Sequence, residues 1–438
     1  MKTDISFLAK TVNIYEVTIH NAIFLRKSKN FSAICAAANG RMEVNMQYKY
    51  ADRMAHLRAS EIRELLKVTE NPEIISFAGG LPAPELFPID EMTEASKRVI
   101  SEDGRCALQY GSTEGYTPLR EWIADRLNRT KGTRLSADNI LITNGSQQGL
   151  DLTGKVFLNE GDTVICESPT YLSAISAFRA YGCLFREVPT DGDGMLPEAL
   201  ERVIAAAENV KLIYMIPNFQ NPSGRSWSYE RRKRLMEAAE RHRITVVEDD
   251  PYGELRFEGE FLPSVKSLDK NGCCVYLGTF SKILCPGFRL GWVAADSEVI
   301  NKYVLVKQGT DLQSSSLLQR IIHKYLEMYD VDSHISVLRA EYKKRKDVMA
   351  EAMERYFPEG ICFTRPMGGL FSWVELPENI DAKELLVRCM ERQVAFVPGG
   401  AFFPNGGHEN TMRVNFSNMP EERIVQGIEL LAGEIRKM

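Results

Sequence analysis

Five short apolar runs punctuate the middle of the chain: Ile140-Leu141-Ile142-Thr143, Thr163-Val164-Ile165-Cys166, Lys211-Leu212-Ile213-Tyr214-Met215, Ile244-Thr245-Val246-Val247 and Cys274-Val275-Tyr276-Leu277. Between them lie stretches of helical composition and mixed charge, such as Ser228 to Arg241. That alternation from about residue 140 to 290 predicts a mainly parallel sheet with helices on both faces, an α/β class. After Gly309 the pattern turns helical, most clearly from His334 to Tyr356. Two strand-like runs follow, Phe371 to Glu375 and Met412 to Phe416, which predict a smaller α+β domain joined by part of the N-terminal region. The expected division is 1–45 as an extension, 46–90 and 331–438 as the two parts of the small domain, and 91–330 as the large domain.

Composition narrows the function. The chain has 438 residues, 44% of them hydrophobic and 26% charged, which suits a globular protein of two domains rather than a disordered one. A formal charge of -5 argues against nucleic acid as the main partner. No apolar stretch approaches the ~18 to 20 residues of a membrane span. The nine cysteines are scattered and mostly embedded in apolar runs, so they read as reduced core residues of a cytoplasmic protein. Neither they nor the six histidines show metal-ligand spacing, and no metal is expected. The first 45 residues carry Lys2, Lys10, Arg26, Lys27, Lys29 and Arg41 and no compact signal-peptide core. They fit an upstream extension of the reading frame, with Met42 or Met46 as a later start, better than a targeting segment.

Candidate chemistry gathers where the apolar runs end. Lys282 follows the last run, in Thr279-Phe280-Ser281-Lys282, with Arg289 seven positions on. Strand ends in α/β sheets are where ligands bind, and an amine among hydroxyls and an arginine suits imine chemistry on a phosphate-bearing cofactor. A lysine reaching from a strand end to water is the plainer explanation of that residue alone. Thr143-Asn144-Gly145-Ser146-Gln147-Gln148-Gly149 follows the first run and opens a helix-like stretch reaching Phe157, a natural phosphate seat as well as an ordinary helix start. Pro217-Asn218-Phe219-Gln220-Asn221-Pro222-Ser223-Gly224 forms an unusual rigid loop that can present the Asn221 amide to a phenolate oxygen. Glu248-Asp249-Asp250-Pro251-Tyr252-Gly253 places carboxylates at the end of an apolar strand, where they need a cation such as a protonated pyridine nitrogen unless they are solvated loop acids. Tyr171 can stack on a flat ligand or serve as a core tyrosine. Arg413, between Met412 and Val414, points away from their face and can clamp a carboxylate or pair with a surface acid.

Taken together, Gly145-Ser146-Gln147, Asn221-Pro222-Ser223-Gly224, Asp249 with Tyr252, Ser281-Lys282 with Arg289, and Arg413 resemble the fold-type I, pyridoxal-phosphate-dependent aminotransferases of class I. The resemblance runs from about Tyr50 to the C-terminus. Ala59 to Lys67, Ser76 to Pro88 and Leu108-Gln109-Tyr110-Gly111 narrow it to the branch with 2-aminoadipate and kynurenine aminotransferases. It implies a large domain built on a seven-stranded-type, mainly parallel sheet. It also implies that Lys282 is the Schiff-base lysine and proton shuttle, that Asp249 pairs with the pyridinium nitrogen, that Asn221 and Tyr252 bond the ring's phenolic oxygen, and that Tyr171 stacks on the ring. Ser146, Gln147, Thr279, Ser281 and Arg289 would hold the phosphate, with Tyr110 reaching over from a second subunit of a homodimer. Arg413, Gly79, Gly80 and Asn221 would meet the substrate, and Ser60 and Arg63, on a mobile N-terminal helix, would meet an acidic side chain.

The expected activity is amino transfer between 2-oxoglutarate and a 2-amino acid with an acidic, aliphatic or aromatic side chain, by ping-pong half reactions. A β-lyase or decarboxylase can share this site, because the lysine and ring contacts do not select which Cα bond breaks. An aminotransferase-like transcription regulator is disfavoured by the acidic charge and by the lack of a recognition helix before the matching region.

Overall fold

The computed structural model describes residues 48–56 and 71–438, and Asp52–Met438 forms one compact unit. The extension at 1–45, most of the expected mobile helix, and Ser60 and Arg63 with it, lie outside the described residues.

The larger sheet contains β1 (Ile140–Thr143), β2 (Thr163–Ser168), β3 (Leu184–Asp191), β4 (Gly194–Met195), β5 (Val210–Met215), β6 (Thr245–Asp249), β7 (Cys274–Thr279) and β8 (Gly291–Ala294). Their spatial order is β1-β8-β7-β6-β5-β2-β3-β4. Neighbours from β7 through β3 run parallel, whereas β8 is antiparallel to both β1 and β7. The sheet has eight strands rather than seven because β3 turns back at Asp191 into the two-residue β4. All residues of β1, β7 and β8 are buried, as strands covered by helices on both faces must be.

Three strands of this sheet escaped the apolar pattern: the two-residue β4, too short to carry one, and β3 and β8. In β3 only Phe185 and Val188 are buried; the strand includes Arg186, Glu187 and Pro189 and meets an outer neighbour only at Thr190 and Asp191. Edge strands carry charge and proline in this way. Strand β8 is four residues long and starts at Gly291, where a side chain would strike the Gly278 carbonyl and the Ser146 backbone nitrogen.

Helix α1 (Ser146–Phe157) follows β1, α2 (Leu172–Arg179) follows β2, and α3 (Val331–Tyr356) is a 26-residue helix. A four-stranded antiparallel sheet follows, with β9 (Cys362–Phe363), β10 (Phe371–Glu375), β11 (Val397–Pro398) and β12 (Thr411–Asn415) in the order β9-β10-β12-β11. Ile75–Ser76 pairs in parallel with Val394–Ala395, tying the early chain to its last third. The described cysteines are free thiols; Cys166, Cys183, Cys274 and Cys389 are core residues, but Cys106 and Cys362 are exposed.

Candidate active site

The parallel strands all deliver their C-terminal ends to one edge of the sheet, and the candidate side chains converge there. At the end of β6 three consecutive acids are buried, each with a different fate. Glu248 accepts hydrogen bonds from the backbone nitrogens of Val265 and Lys266 at 3.0 and 2.7 Å, although burial still lifts its carboxyl to about 7. Asp250 faces the Lys131 ammonium at 2.7 Å and also accepts from Asn218 and Tyr276. Burial alone would raise its pKa, but Lys131 and Asn218 overcome that and hold it below the ordinary value.

Asp249 is the exception. Tyr214 donates to its Oδ2 at 2.9 Å, but its Oδ1 is buried with no hydrogen-bond partner among the described residues. Burial raises its pKa to about 7, against the Tyr214 hydrogen bond. A desolvated carboxylate oxygen left unpaired costs of order 1–3 kcal/mol, so this atom calls for a cationic donor. The buried acids are therefore not solvated loop carboxylates.

Lys282 sits just beyond β7, its Nζ donating to the Gly80 carbonyl at 2.8 Å. Burial lowers its pKa to about 8, and the positive charges of Arg413 and Arg289 add to the shift. A neutral amine is thus within easy reach near neutral pH, as nucleophilic and proton-transfer lysines require.

Arg413 projects from β12, 5% exposed and with no carboxylate partner among the described residues, which removes the surface ion pair as its explanation. Its Nη1 donates to Asn221 Oδ1 at 2.8 Å and its Nη2 to the Ala78 carbonyl at 2.6 Å. Since the Asn221 oxygen is taken, its Nδ2 turns toward the Tyr252 hydroxyl at 3.5 Å and remains available as a donor. The Arg413 guanidinium lies 4.3 Å from the Phe371 ring centre and 5.2 Å from that of Phe402, two cation–π contacts that fix its plane. Gly80 passes so close to Phe371 that a Cβ would come within 2.9 Å of the ring. Gly79 is buried beside it.

A second cluster surrounds the N-terminus of α1. Gly145 takes φ 73° and ψ 168°, a conformation reserved for glycine, and a Cβ there would sit 2.7 Å from an Arg289 nitrogen. The Thr279 hydroxyl lies 3.0 Å from Ser281 Oγ, and the Ser281 backbone nitrogen donates to Thr279 Oγ1 at 3.1 Å. Ser146 opens the helix, and Gln147 is exposed beside it, its amide 3.4 Å from the Ser173 carbonyl. Hydroxyls, a guanidinium and free helix N–H groups make a seat for a phosphate.

Tyr171 caps α2. Burial raises its hydroxyl above the ordinary phenol value, a bond with Ser173 opposes this, and the charges of Asp249, Arg413 and Arg289 are near enough to act on it. Tyr110 stands apart: it is 78% exposed, and its side chain joins none of these clusters within the chain.

The arrangement is an amine, a carboxylate wanting a cation, a phosphate seat and a carboxylate clamp. The model of the family described as aminotransferase class I and II matches residues 73–431. The chain belongs to that family. It is 45% identical to aromatic-amino-acid aminotransferase 1 of Thermococcus litoralis, over 89% of this chain and 94% of that one. A crystal structure of Pyrococcus horikoshii kynurenine aminotransferase in complex with PMP is similar at 45% identity and a TM-score of 0.85, covering 89% of this chain and 97% of the other. The alpha-aminoadipate aminotransferase LysN of Thermus thermophilus, complexed with N-(5'-phosphopyridoxyl)-L-leucine, is similar at 41% identity and a TM-score of 0.83, with the same coverages.

The chain is accordingly a transaminase of fold type I whose cofactor is pyridoxal phosphate. The orphaned Asp249 oxygen, the low-pKa lysine and the glycine-lined seat beside Arg289 suit that group.

Sequence reasoning missed several residues. Tyr214, inside an apolar strand, reads as core until β5 and β6 are aligned. Phe371 and Phe402 look like ordinary core aromatics. Glu167, at the end of β2, accepts from the Ile216 backbone nitrogen at 2.9 Å and the Trp227 indole at 2.8 Å, while Gln220 donates to the Pro169 carbonyl at 2.7 Å. These bonds tie the strand before Tyr171 to the loop carrying Asn221. The carboxylate at the end of the Val164-Ile165-Cys166 run was the available signal, the same one that marked Asp249.

Proposed function

We propose that the enzyme moves an amino group between 2-oxoglutarate and 2-amino acids with acidic, aliphatic or aromatic side chains, 2-aminoadipate and glutamate among them. The observation that carries this reading is the paired arrangement of Arg413 and Lys282. The guanidinium is buried without an acidic partner among the described residues, and the amine is held at the Gly80 carbonyl with its pKa lowered to about 8. Similarity to an aromatic-amino-acid, a kynurenine and an alpha-aminoadipate aminotransferase supports the breadth of the substrate range.

Pyridoxal phosphate supplies an aldehyde that condenses with amines and a cationic ring that stabilises negative charge at a substrate Cα. In this reading Asp249 Oδ1 would pair with the ring nitrogen, Asn221 Nδ2 and the Tyr252 hydroxyl would bond the phenolic oxygen, and Tyr171 would stack on the ring. Ser146, Gln147, Thr279, Ser281 and Arg289 would hold the phosphate. Arg413 would bind the α-carboxylate, and Lys282 Nζ would take and return the substrate Cα proton. Tyr110, exposed in the single chain, completes the phosphate seat of a partner in a homodimer. In this reading 46–90 and 331–438 form a small domain around the four-stranded sheet, and 91–330 forms the large domain around the eight-stranded one.

Side-chain preference is assigned to Ser60 and Arg63. An amino-donor screen with 2-oxoglutarate as acceptor tests the whole reading. Glutamate and 2-aminoadipate, with leucine and an aromatic amino acid, are expected as donors, and Arg63→Ala should depress the acidic ones about tenfold more than leucine. Equal losses for all donors would remove the role of Arg63, and no transfer from any donor would defeat the substrate assignment.

A further inference from the structure

We infer that Tyr214 is a positioning residue for the cofactor ring: its hydroxyl occupies Oδ2 of Asp249 from behind and so commits Oδ1 to the ring nitrogen. The inference rests on the reading of Asp249 given above.

Tyr214 lies on β5, opposite Val247 of β6, and Asp249 is two residues further along β6 on the same face. The tyrosine is 1% exposed, and its ring is held edge-on to Phe178 of α2 with centroids 5.7 Å apart. Its O–H donates to Asp249 Oδ2 at 2.9 Å, the one side-chain hydrogen bond to that carboxylate among the described residues. Two states of a buried carboxylate compete here. With no donor behind it, the group is free to rotate about its last torsion, a broad, roughly two-fold well, or to hold a proton. With one oxygen fixed, rotation would break a charge-assisted bond, and the Tyr214 donor favours the ionised form with its other oxygen in place. Burial pushes the Tyr214 hydroxyl well above the ordinary phenol range, and nearby Asp249 adds to this, so it remains a donor at every working pH. Asp250 does not compete for the role, because it is engaged by Lys131, Asn218 and Tyr276.

A tyrosine that merely fills the core predicts something different from one that acts through the ring nitrogen. The test strips the holoenzyme of cofactor and measures rebinding of pyridoxal phosphate and of its carbocyclic analogue, in which C–H replaces the ring nitrogen. Wild type should prefer the natural cofactor. Tyr214→Phe should cut that preference about tenfold by losing affinity for the natural cofactor alone, the scale of one hydrogen bond to a charged group. Tyr214→3-fluorotyrosine, a stronger donor of nearly the same shape, should preserve or raise it, and serves if the phenylalanine variant does not fold. Preference unchanged in Tyr214→Phe, whether both affinities hold or both fall together, would overturn the inference. Asp249→Ala separates the two levels: it should erase the preference, and if it does not, the ring-nitrogen role of Asp249 itself fails.

Discussion

At the scale of single residues, the site depends on two groups held away from their ordinary protonation. Lys282 loses its proton near pH 8 rather than near 10.5, because burial and the positive charges of Arg413 and Arg289 all disfavour the ammonium. The neutral amine is the nucleophile, so the rate at which the cofactor-free protein captures pyridoxal phosphate should rise with pH and level off just above 8. Arg413→Met removes one of the positive charges and should move that midpoint upward, by about one unit or less. Stopped-flow absorbance over pH 6 to 10 checks both, and a rate still climbing at pH 10 in the wild type would contradict the assignment. Asp249 carries the complementary strain, one oxygen bonded to Tyr214 and the other unpaired.

At the scale of elements, most of the functional side chains stand where a strand or helix begins or ends, with mid-strand Arg413 the exception, and this made much of the site readable from sequence. Carboxylates closing β6, a lysine just past β7 and a glycine before α1 are local anomalies in otherwise regular patterns. Their partners are not local. Lys131 neutralises Asp250 across 119 residues of chain, and Arg413 reaches Asn221 across 192. Nothing in either neighbourhood signals the pairing. The strands β3 and β8 were missed because edge exposure in one and brevity in the other erase the apolar run. The buried Lys131–Asp250 pair gives an element-scale prediction, since it joins the C-terminal turn of the helix Thr117–Lys131 to the end of β6. Removing one member of such a pair strands a buried charge, so Lys131→Met should cost about 3–5 kcal/mol in urea unfolding. The folded pKa of Asp250 is depressed, so the pair's contribution is complete above the unfolded carboxylate pKa near 4 and is lost as pH falls through the lower folded value. A loss below about 1 kcal/mol at pH 7 would show that the pair is not needed to hold the strand end.

At the scale of the whole molecule, the sheet edge gathers residues from positions 78 to 413 into one site, and Tyr110 remains outside it. An exposed tyrosine next to an exposed Leu108 is poorly explained within one chain. The homodimer assigned above predicts a sedimenting species of about twice the 49.5 kDa chain mass at micromolar concentration. A monomer that retains full activity would dismiss the shared site. The family, the fold class and the cofactor were legible because they follow from motifs in order along the chain. Substrate choice was not, because it turns on small differences in pocket shape among sites that bind the same cofactor.

The central claim is a covalent bond between the cofactor and Lys282. Borohydride reduction of the holoenzyme, followed by peptide mass mapping, measures it directly. The expected result is a single pyridoxyl-labelled peptide with the modification at Lys282. Label on another lysine, or none, would contradict the account.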